Sequence, residues 1–251
     1  WMDDTLNATV ANRTEINHGL LVLRVKPDEE LQPFKPGQYT VLGLPGSAPR
    51  TVHADVEETP PEPDKIIKRA YSIASSSLEG EYLEFYLALV RSGALTPRLF
   101  ALEPGDRLWL GKRIVGMFTL DDAPPDNHLL FVATGTGLAP YLSMLRSAYE
   151  FDSERTTVVC HAARVSWDLG YRTELESFAA RLPTVAIKLG PDGAIARSGG
   201  ETVRGASFQI EVVDTTGAGD SFNGGFLHGW LAGMDLAGAL DLALACGALS
   251  I

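Results

Sequence analysis

The sequence predicts a β + α/β protein, with an antiparallel barrel over residues 1–120 and a three-layer, Rossmann-like α/β domain over residues 121–251. Two observations predict this order. Short alternating runs separated by Gly, Pro and Asp fill the first part, where helical periodicity is scarce. From about Asp121 onward, continuous apolar runs alternate with amphipathic ones, which is typical of a parallel sheet with right-handed crossovers.

The barrel half contains five runs with strand character and one short helix. The strands are predicted in HGLLVLRVKP, QYTVLGLP, KRAYSIAS, YLEFYLALVRSG and DRLWLGKRIVGMFTL, and the helix in TPRLFAL. Residues 46–65 are rich in Pro and acidic residues, so we expect an exposed loop there.

The second half alternates strands and helices. The runs NHLLFVATG, RTTVVCHAA and TVAIKLG are predicted strands, and LAPYLSMLRSAYEF and YRTELESFAARL are the helices between them. GAIARSGGETVRGAS has a glycine pair between alternating runs, which predicts a hairpin. Two helices, at about 217–233 and 235–249, follow the hairpin.

Composition narrows the class of protein. The net charge of −11 argues against nucleic acid or an anionic membrane as the main partner. No apolar run approaches 18 residues, so no membrane span is expected. Cys160 and Cys246 lack a CxxC partner, and no signal peptide is recognised; both features favour reduced thiols and a cytoplasmic location. We expect no metal site.

The run KRAYSIAS carries residues suited to a flavin. Arg69 can pair with a pyrophosphate through its planar guanidinium, and Tyr71 can lay its ring against an isoalloxazine. Ser72 can donate to the N5 region, where a hydride arrives. Downstream, SGALTPRL places Gly93 and Thr96 at a helix start, where backbone N–H groups favour an anion.

In this order and spacing, these motifs resemble the ferredoxin–NADP reductase family, especially its bacterial members, over residues 5–183. The resemblance implies a six-stranded barrel that binds FAD, and electron transfer between NADPH, FAD and a ferredoxin or flavodoxin. The positions that match the FAD site are Arg69, Tyr71, Ser72, Gly93, Ala94, Leu95 and Thr96.

ATGTGLAP, residues 133–140, lies where a predicted strand turns into a helix. Gly135 and Gly137 let the backbone approach a pyrophosphate at the helix N-terminus. The resemblance implies that Thr136 lies near the flavin and nicotinamide rings and, with Ser72, belongs to the catalytic site. It also implies that Arg164 meets the 2′-phosphate of NADP, with Arg172 adding charge.

An alternative for Arg164 is an ion pair with Asp168 on a solvated turn. Beyond residue 183 the reductase features expected of the family, including a second basic residue for the 2′-phosphate, are not found. We therefore expect NADP(H) binding that is weakened but not abolished.

VVDTTGAGDSFNGGFL, residues 212–227, belongs to a different pattern. It resembles the D-T-x-G-A-G-D signature of the ribokinase-like, or pfkB, family of sugar and small-metabolite kinases, over residues 184–251. Gly217, Ala218 and Gly219 offer N–H groups to a phosphoryl group, and Asp220 matches the general base. The N-terminal region that supplies the sugar pocket in that family is not found, so turnover by Asp220 is not expected.

We interpret the chain as an engineered chimera: residues 121–183 are a reductase NADP-binding half, completed by a kinase fragment over residues 184–251. Three functions follow from this interpretation. The chain could be an NADPH-linked flavin reductase with impaired activity, a small-molecule kinase, or a structural chimera that folds without turnover.

Overall fold

The structure is a computed structural model of the chain. It describes residues 5–124, 127–147, 157–163, 166–179, 184–210 and 217–250. The chain divides into two compact units. The barrel unit comprises residues 1–123 and 139–150, and the sheet unit comprises residues 124–138 and 151–251.

The barrel unit is built on a six-stranded antiparallel sheet in the order β4-β3-β6-β1-β2-β5. Its strands are β1 (Ala8–Asn17), β2 (Leu20–Pro27), β3 (Tyr39–Pro45), β4 (Ile66–Ser72), β5 (Leu83–Ala88) and β6 (Arg107–Leu110). A bridge between Ile73 and Phe85 joins the end of β4 to β5, so the two edges of the sheet meet. Alternate strand residues such as Leu21, Leu23 and Leu42 fill the core.

β1 was not among the predicted strands. Only Ala8 and Val10 of its ten residues are buried, and polar side chains such as Asn12 and Glu15 dominate the rest. Backbone pairing with β2 forms the strand despite this weak pattern, with register shifts after Val10 and Glu15. Pairing across the hairpin therefore outweighs local sequence here.

Two helices, α1 (Thr96–Leu99) and α2 (Ala139–Ser147), complete the barrel unit. α2 is fixed by Arg146, whose Nη1 donates to the Glu84 carboxylate at 2.7 Å and to the Ala74 carbonyl at 2.8 Å. The prediction placed α2 in the α/β domain. The contiguous boundary after residue 120 thus differs from the observed grouping of residues 139–150, and the domain assignment itself stays a prediction.

Gly37 shows why the turn before β3 needs glycine. Its φ is +96°, and a Cβ there would lie 1.9 Å from the Phe118 carbonyl oxygen and 2.5 Å from Met144 Cε. Any larger residue would push the backbone near Phe118 and α2 away from the start of β3.

The sheet unit contains a five-stranded mixed sheet in the order β11-β10-β9-β8-β7. Its elements are β7 (Leu129–Thr134), β8 (Thr157–Ala162), α3 (Arg172–Ala179), β9 (Thr184–Lys188), β10 (Ala194–Ser198), β11 (Glu201–Gly205), α4 (Ala218–Leu231) and α5 (Leu236–Leu249). β7, β8 and β9 are parallel, and β10 and β11 form the predicted antiparallel hairpin.

α4 and α5 pack on one face of this sheet, where Phe222, Phe226 and Leu240 meet Cys160 and Ala186. α3 lies against β9, and its Glu176 lines a cavity on the opposite face with Val185 and Ile187. A six-stranded antiparallel sheet followed by a mixed α/β sheet confirms the predicted fold class. Within the described part of the chain, no helix has the length and apolar character needed to cross a bilayer.

Candidate functional site

β4 presents the predicted flavin residues in register with β3. Arg69 is opposite Leu42, Tyr71 is opposite Thr40, and Ser72 follows at the strand end. The Tyr71 ring is half-buried against the barrel core. Burial raises the pKa of Tyr71 to about 12, although the positive charge of Arg69 opposes part of the rise. Tyr71 is therefore a neutral phenol at physiological pH.

Arg69 extends from the strand as an exposed side chain. Its Nη1 donates to the carbonyl of the preceding Lys68 at 2.7 Å. Among the residues that the structure describes, no carboxylate pairs with its guanidinium, so the other N–H groups are available to an anion. Arg69, Tyr71 and Ser72 thus lie along one strand, β4. From this strand they can contact different parts of a single extended ligand.

The turn at residues 93–96 is held by its own hydrogen bonds. The Gly93 amide donates to the Val90 carbonyl at 2.8 Å. Thr96 Oγ1 accepts from the Val90 amide at 3.0 Å and donates to its carbonyl at 3.3 Å. A Cβ on Gly93 would lie 3.0 Å from the Val90 oxygen, so the turn is close-packed. Ala94 is half-buried and Leu95 is buried, which leaves the backbone as the exposed feature of the segment.

A network that sequence reasoning missed braces this turn. Arg98 is buried and binds the Glu57 carboxylate with both terminal nitrogens, at 3.0 and 2.8 Å. It also donates to the Ala94 carbonyl at 2.6 Å and to the Gly46 carbonyl. Arg50 donates to Glu57 at 2.9 Å and to the Gly93 carbonyl at 3.1 Å. Hydrogen bonding to Arg98, foremost, holds the pKa of Glu57 below its usual range.

The loop over residues 46–65 is therefore a structural brace as well as a surface segment. Glu57 and Arg50 of this loop connect it to the turn at residues 93–96, which is predicted to face an anion. The sequence contains two signals for the contact between Arg98 and Glu57. They are the arginine within the short helical run TPRLF and the acid-rich loop that precedes it in the chain.

In the sheet unit, the glycine turn follows β7 as a 3-10 turn over Gly135–Leu138. Gly135 has φ +50°, and a Cβ at Gly135 or Gly137 would have no neighbour within 4 Å. Thr136 is half-buried between the two glycines. The backbone of the turn is thus open to a ligand, as a pyrophosphate-binding turn requires.

His161 fixes this turn from the neighbouring strand, and sequence reasoning did not identify it. Its side chain is buried, and Nε2 lies 3.1 Å from the Gly135 carbonyl, to which it donates. Nδ1 is buried without a hydrogen-bond partner among the described residues. Burial lowers the pKa of His161 to about 4, so the ring is neutral at physiological pH.

Of the two arginines predicted to bind the 2′-phosphate, Arg164 and Arg172, the structure describes only Arg172. Arg164 lies outside the described residues, so both the phosphate role and the pair with Asp168 stay predictions. Arg172 begins α3, and its Nε donates to Glu176 at 2.9 Å, one turn along the same helix. Part of the Arg172 guanidinium is therefore committed to an i,i+4 ion pair.

The kinase-like segment begins α4 at the same edge of the sheet. Gly217, in the left-handed conformation, precedes the helix, Ala218 is buried, and Asp220 is exposed in the first turn. A Cβ on Gly219 would lie 3.0 Å from Ala162 Cβ and 3.3 Å from Thr134 Cγ2. The start of α4 therefore contacts the carboxyl ends of β7 and β8.

Lys188 ends β9 at this edge and is mostly buried. Its Cε would lie 3.5 Å from a Cβ on Gly247, which also neighbours the Ala218 carbonyl. Burial lowers the pKa of Lys188, and within the described ranges no hydrogen bond or ion pair satisfies its ammonium group. The glycine turn, the start of α4 and Lys188 thus share one edge of the sheet. The described residues contain no group of three or more metal-ligating side chains.

Comparison with family models matches two patterns to the second half of the chain. The oxidoreductase NAD-binding domain matches residues 131–203, and the pfkB family carbohydrate kinase matches residues 173–251. Both models therefore match residues 173–203, and the oxidoreductase pattern continues past the boundary predicted at residue 183.

Comparison with curated proteins supports the resemblance to ferredoxin–NADP reductases. The flavodoxin/ferredoxin–NADP reductase of Escherichia coli K12 is 38% identical over 149 residues, covering 59% of this chain and 53% of that protein. The ferredoxin–NADP reductase of Pseudomonas aeruginosa is 35% identical, covering 55% and 47%. The chain thus spans about half the length of these relatives.

Solved structures share the fold. A ferredoxin–NADP reductase from Neisseria gonorrhoeae with bound FAD and NADP has a TM-score of 0.57 at 22% identity, covering 70% of this chain and 64% of that one. A cytochrome P450 reductase from Amycolatopsis has a TM-score of 0.60 at 26% identity, covering 73% and 51%. Both contain the arrangement of an antiparallel barrel and an α/β sheet that this chain shares.

Proposed function

We propose that this chain is an FAD-binding flavoprotein whose chemistry is electron transfer between NADPH, FAD and a ferredoxin or flavodoxin. The observation that carries the proposal is the placement of Arg69, Tyr71 and Ser72 on one strand of a six-stranded barrel. The names of the relatives and the FAD-bound structure with the same fold support the assignment.

The chemistry of these side chains fits FAD. Bound FAD supplies a hydride acceptor and a carrier that can release electrons singly. Tyr71 offers a neutral aromatic face for the isoalloxazine, and Arg69 offers a guanidinium for the pyrophosphate. Ser72 would donate a hydrogen bond near N5. The backbone of residues 93–96, braced by Arg98, would face the phosphates.

Stacking on Tyr71 gives this proposal a spectroscopic test. A flavin stacked on an aromatic ring loses fluorescence, so Tyr71→Ala should brighten bound FAD without releasing all of it. Tyr82→Ala is the matched control, because Tyr82 is not among the predicted flavin residues and its ring packs instead against the Arg24 guanidinium, 4.7 Å from the ring centroid. Equal fluorescence in the two variants would remove Tyr71 from the flavin site.

For the nicotinamide nucleotide we propose weakened binding at Gly135–Gly137, with Thr136 beside the reacting rings and Arg164 at the 2′-phosphate. The ion pair of Arg172 with Glu176 reduces the free charge there. Losing one charge-assisted contact weakens affinity by about ten- to a hundredfold. Titrations of NADPH and NADH, with Arg164→Ala alongside, test this. Equal affinity for both nucleotides and no effect of the mutation would favour the solvated turn.

A second candidate is phosphoryl transfer from ATP with Asp220 as base. It is favoured by the left-handed Gly217, the start of α4 and the exposed Asp220. We rank it below electron transfer, because the kinase family match covers residues 173–251 and the region that supplies the sugar pocket in that family was not recognised in the sequence. NADPH-driven dye reduction measured beside ATP consumption with a panel of sugars separates the two. Strong ATP consumption that Asp220→Asn abolishes would reverse this ranking.

We also propose that the sheet unit is a chimera of reductase and kinase parts, joined near residues 182–186, and that the protein is cytoplasmic. The match of two families to the second half of the chain supports a chimera, although both matches cover residues 173–203 and so do not fix the junction. The two free cysteines support the second proposal. If the parts form one domain, limited proteolysis should spare the junction. Rapid cleavage near residue 184 that leaves a stable N-terminal fragment would contradict a joint domain.

A further inference from the structure

The face of the sheet opposite α4 and α5 carries a cavity of about 160 Å³ between the β10–β11 hairpin and α3. Its apolar floor is formed by Val185, Ile187 and Ile195. A cavity of about 150 Å³ is sufficient for a benzene ring in other proteins, so a single six-membered ring fits here. None of the cofactor or phosphate positions described above lies in this cavity.

Strand register explains why two arginines share this cavity. Across β11, β10 and β9, Arg204 aligns with Ile195, which aligns with Ile187. In the next row, Thr202 aligns with Arg197, which aligns with Val185. Arg197 and Arg204 are therefore diagonal neighbours on one face, about 7–8 Å apart at the backbone and within reach of a common ligand.

Neither arginine has a carboxylate partner in the described part of the chain. Arg197 Nε is buried with no hydrogen-bond acceptor, and Arg204 is exposed at the rim. Glu176 also lines the cavity, but its carboxylate accepts from Arg172 at 2.9 Å. Two adjacent guanidinium groups without counter-ions are unusual in a chain of net charge −11. A bound oxyanion would satisfy the buried Nε and offset their mutual repulsion.

We propose that this cavity binds a small organic oxyanion that joins one apolar ring to a phosphate or carboxylate group. The ring lies over Val185, Ile187 and Ile195, and the oxyanion meets Arg197 and Arg204. Planar guanidinium groups bind both anions with paired N–H donors. The site is formed by the hairpin, β9 and α3, and none of its lining residues is a predicted FAD or nicotinamide position, although its Glu176 pairs with Arg172.

The test is calorimetric titration of the full chain at low salt with phenyl phosphate and with benzoate. Inorganic phosphate and phenol each supply one half of the proposed ligand. We expect one molecule of phenyl phosphate or benzoate per chain, and at least about tenfold weaker binding of phenol and inorganic phosphate. The tighter of the two ring anions identifies the preferred anionic group.

Variants locate the site. Arg197→Gln and Arg204→Gln should each weaken binding by about tenfold or more, because each removes a charge-assisted contact. Arg113→Gln, an exposed arginine of the barrel unit, makes the same change in charge and should alter binding by less than about twofold.

A second variant, which fills the cavity, tests the proposal even if Arg197→Gln does not fold. Thr202 is exposed on β11, so Thr202→Trp keeps strand propensity and places a ring in the cavity. It should abolish binding of the ring anions. Undiminished binding in Thr202→Trp, an equal loss in Arg113→Gln, or no binding by the parent chain would overturn the proposal.

Discussion

The barrel unit and the sheet unit differ in how many of their buried polar groups have a hydrogen-bond or ion-pair partner. In the barrel unit, the buried Glu84 carboxylate binds Arg24 and Arg146, each at 2.7 Å. Among the described residues of the sheet unit, five buried side-chain atoms lack a hydrogen-bond partner, on Thr157, His161, Arg197 and Asn223. Among the described residues of the barrel unit there are two such atoms, on Arg13 and Ser143.

The two family matches both lie in the second half of the chain, over residues 131–203 and 173–251. In the barrel unit, the buried Glu84 is paired with Arg24 and Arg146, which are 60 and 62 positions away in sequence. In the sheet unit, β8 falls within the oxidoreductase match and α4 within the kinase match. Polar side chains on both elements are buried without a partner on the other. Phe222 and Phe226 of α4 pack in one apolar cluster with Cys160 of β8, whereas these polar side chains have no partner across the same contact among the described residues.

Removing the Glu84 carboxylate should produce the largest effect. Glu84→Gln leaves the mostly buried Arg146 without its counter-ion, so the free energy of unfolding of the barrel unit should fall by about 3 kcal/mol. Urea denaturation measures it. Glu15→Gln, which breaks a partly exposed pair with Arg13, is the control and should cost less than about 1 kcal/mol. Similar losses in both variants would refute the importance of the buried network.

His161 should make the sheet unit sensitive to acid. Its folded pKa of about 4 lies below the ordinary histidine pKa of 6.5, so the unfolded state takes up the proton first as the pH falls. The stability from the neutral ring is complete above pH 6.5 and is lost as the pH falls toward 4. Between pH 7.5 and 5, the parent should lose about 2 kcal/mol more than His161→Gln. Parallel pH profiles for parent and variant would contradict the assigned pKa.

Asn223 should show an effect of opposite sign to that of Glu84. Its side-chain oxygen and nitrogen are both buried without partners, so Asn223→Leu removes an unsatisfied amide at similar volume. We expect the free energy of unfolding to rise by about 1 kcal/mol. Asn12→Leu, at an exposed position on β1, should change it by less than about 0.5 kcal/mol. A loss of stability in Asn223→Leu would mean that the amide has a partner in solution.

The elements that the sequence predicted correctly are those whose apolar residues follow a regular period. The alternation of apolar residues located β2 to β5, and the glycine pair at 199–200 located the β10–β11 hairpin. It also placed α4 and α5 to within a few residues. The polar strand β1 escaped because backbone pairing with β2, not side-chain burial, forms most of it.

Polar contacts between residues far apart in the sequence could not be predicted from local sequence patterns. Arg98 and Glu57 are 41 positions apart, and Arg146 and Glu84 are 62 apart, so neither pair has a local signature. The same applies to His161, whose Nε2 donates to the carbonyl of Gly135 in the turn that follows the neighbouring strand. The candidate residues were identified from motifs, whereas the contacts that hold them in place required the structure.

The proposal that matters most is that the barrel unit forms an FAD site, whatever the origin of the sheet unit that two family models match. The most direct measurement is a titration of the full chain with FAD, followed by removal of free flavin and determination of bound flavin per chain by absorbance. We expect one FAD per chain, with binding weakened about tenfold or more in Arg69→Ala and unchanged in Arg113→Ala. A chain that retains no FAD after the titration, or an Arg69→Ala variant that binds FAD as well as the parent, would contradict the proposed FAD site.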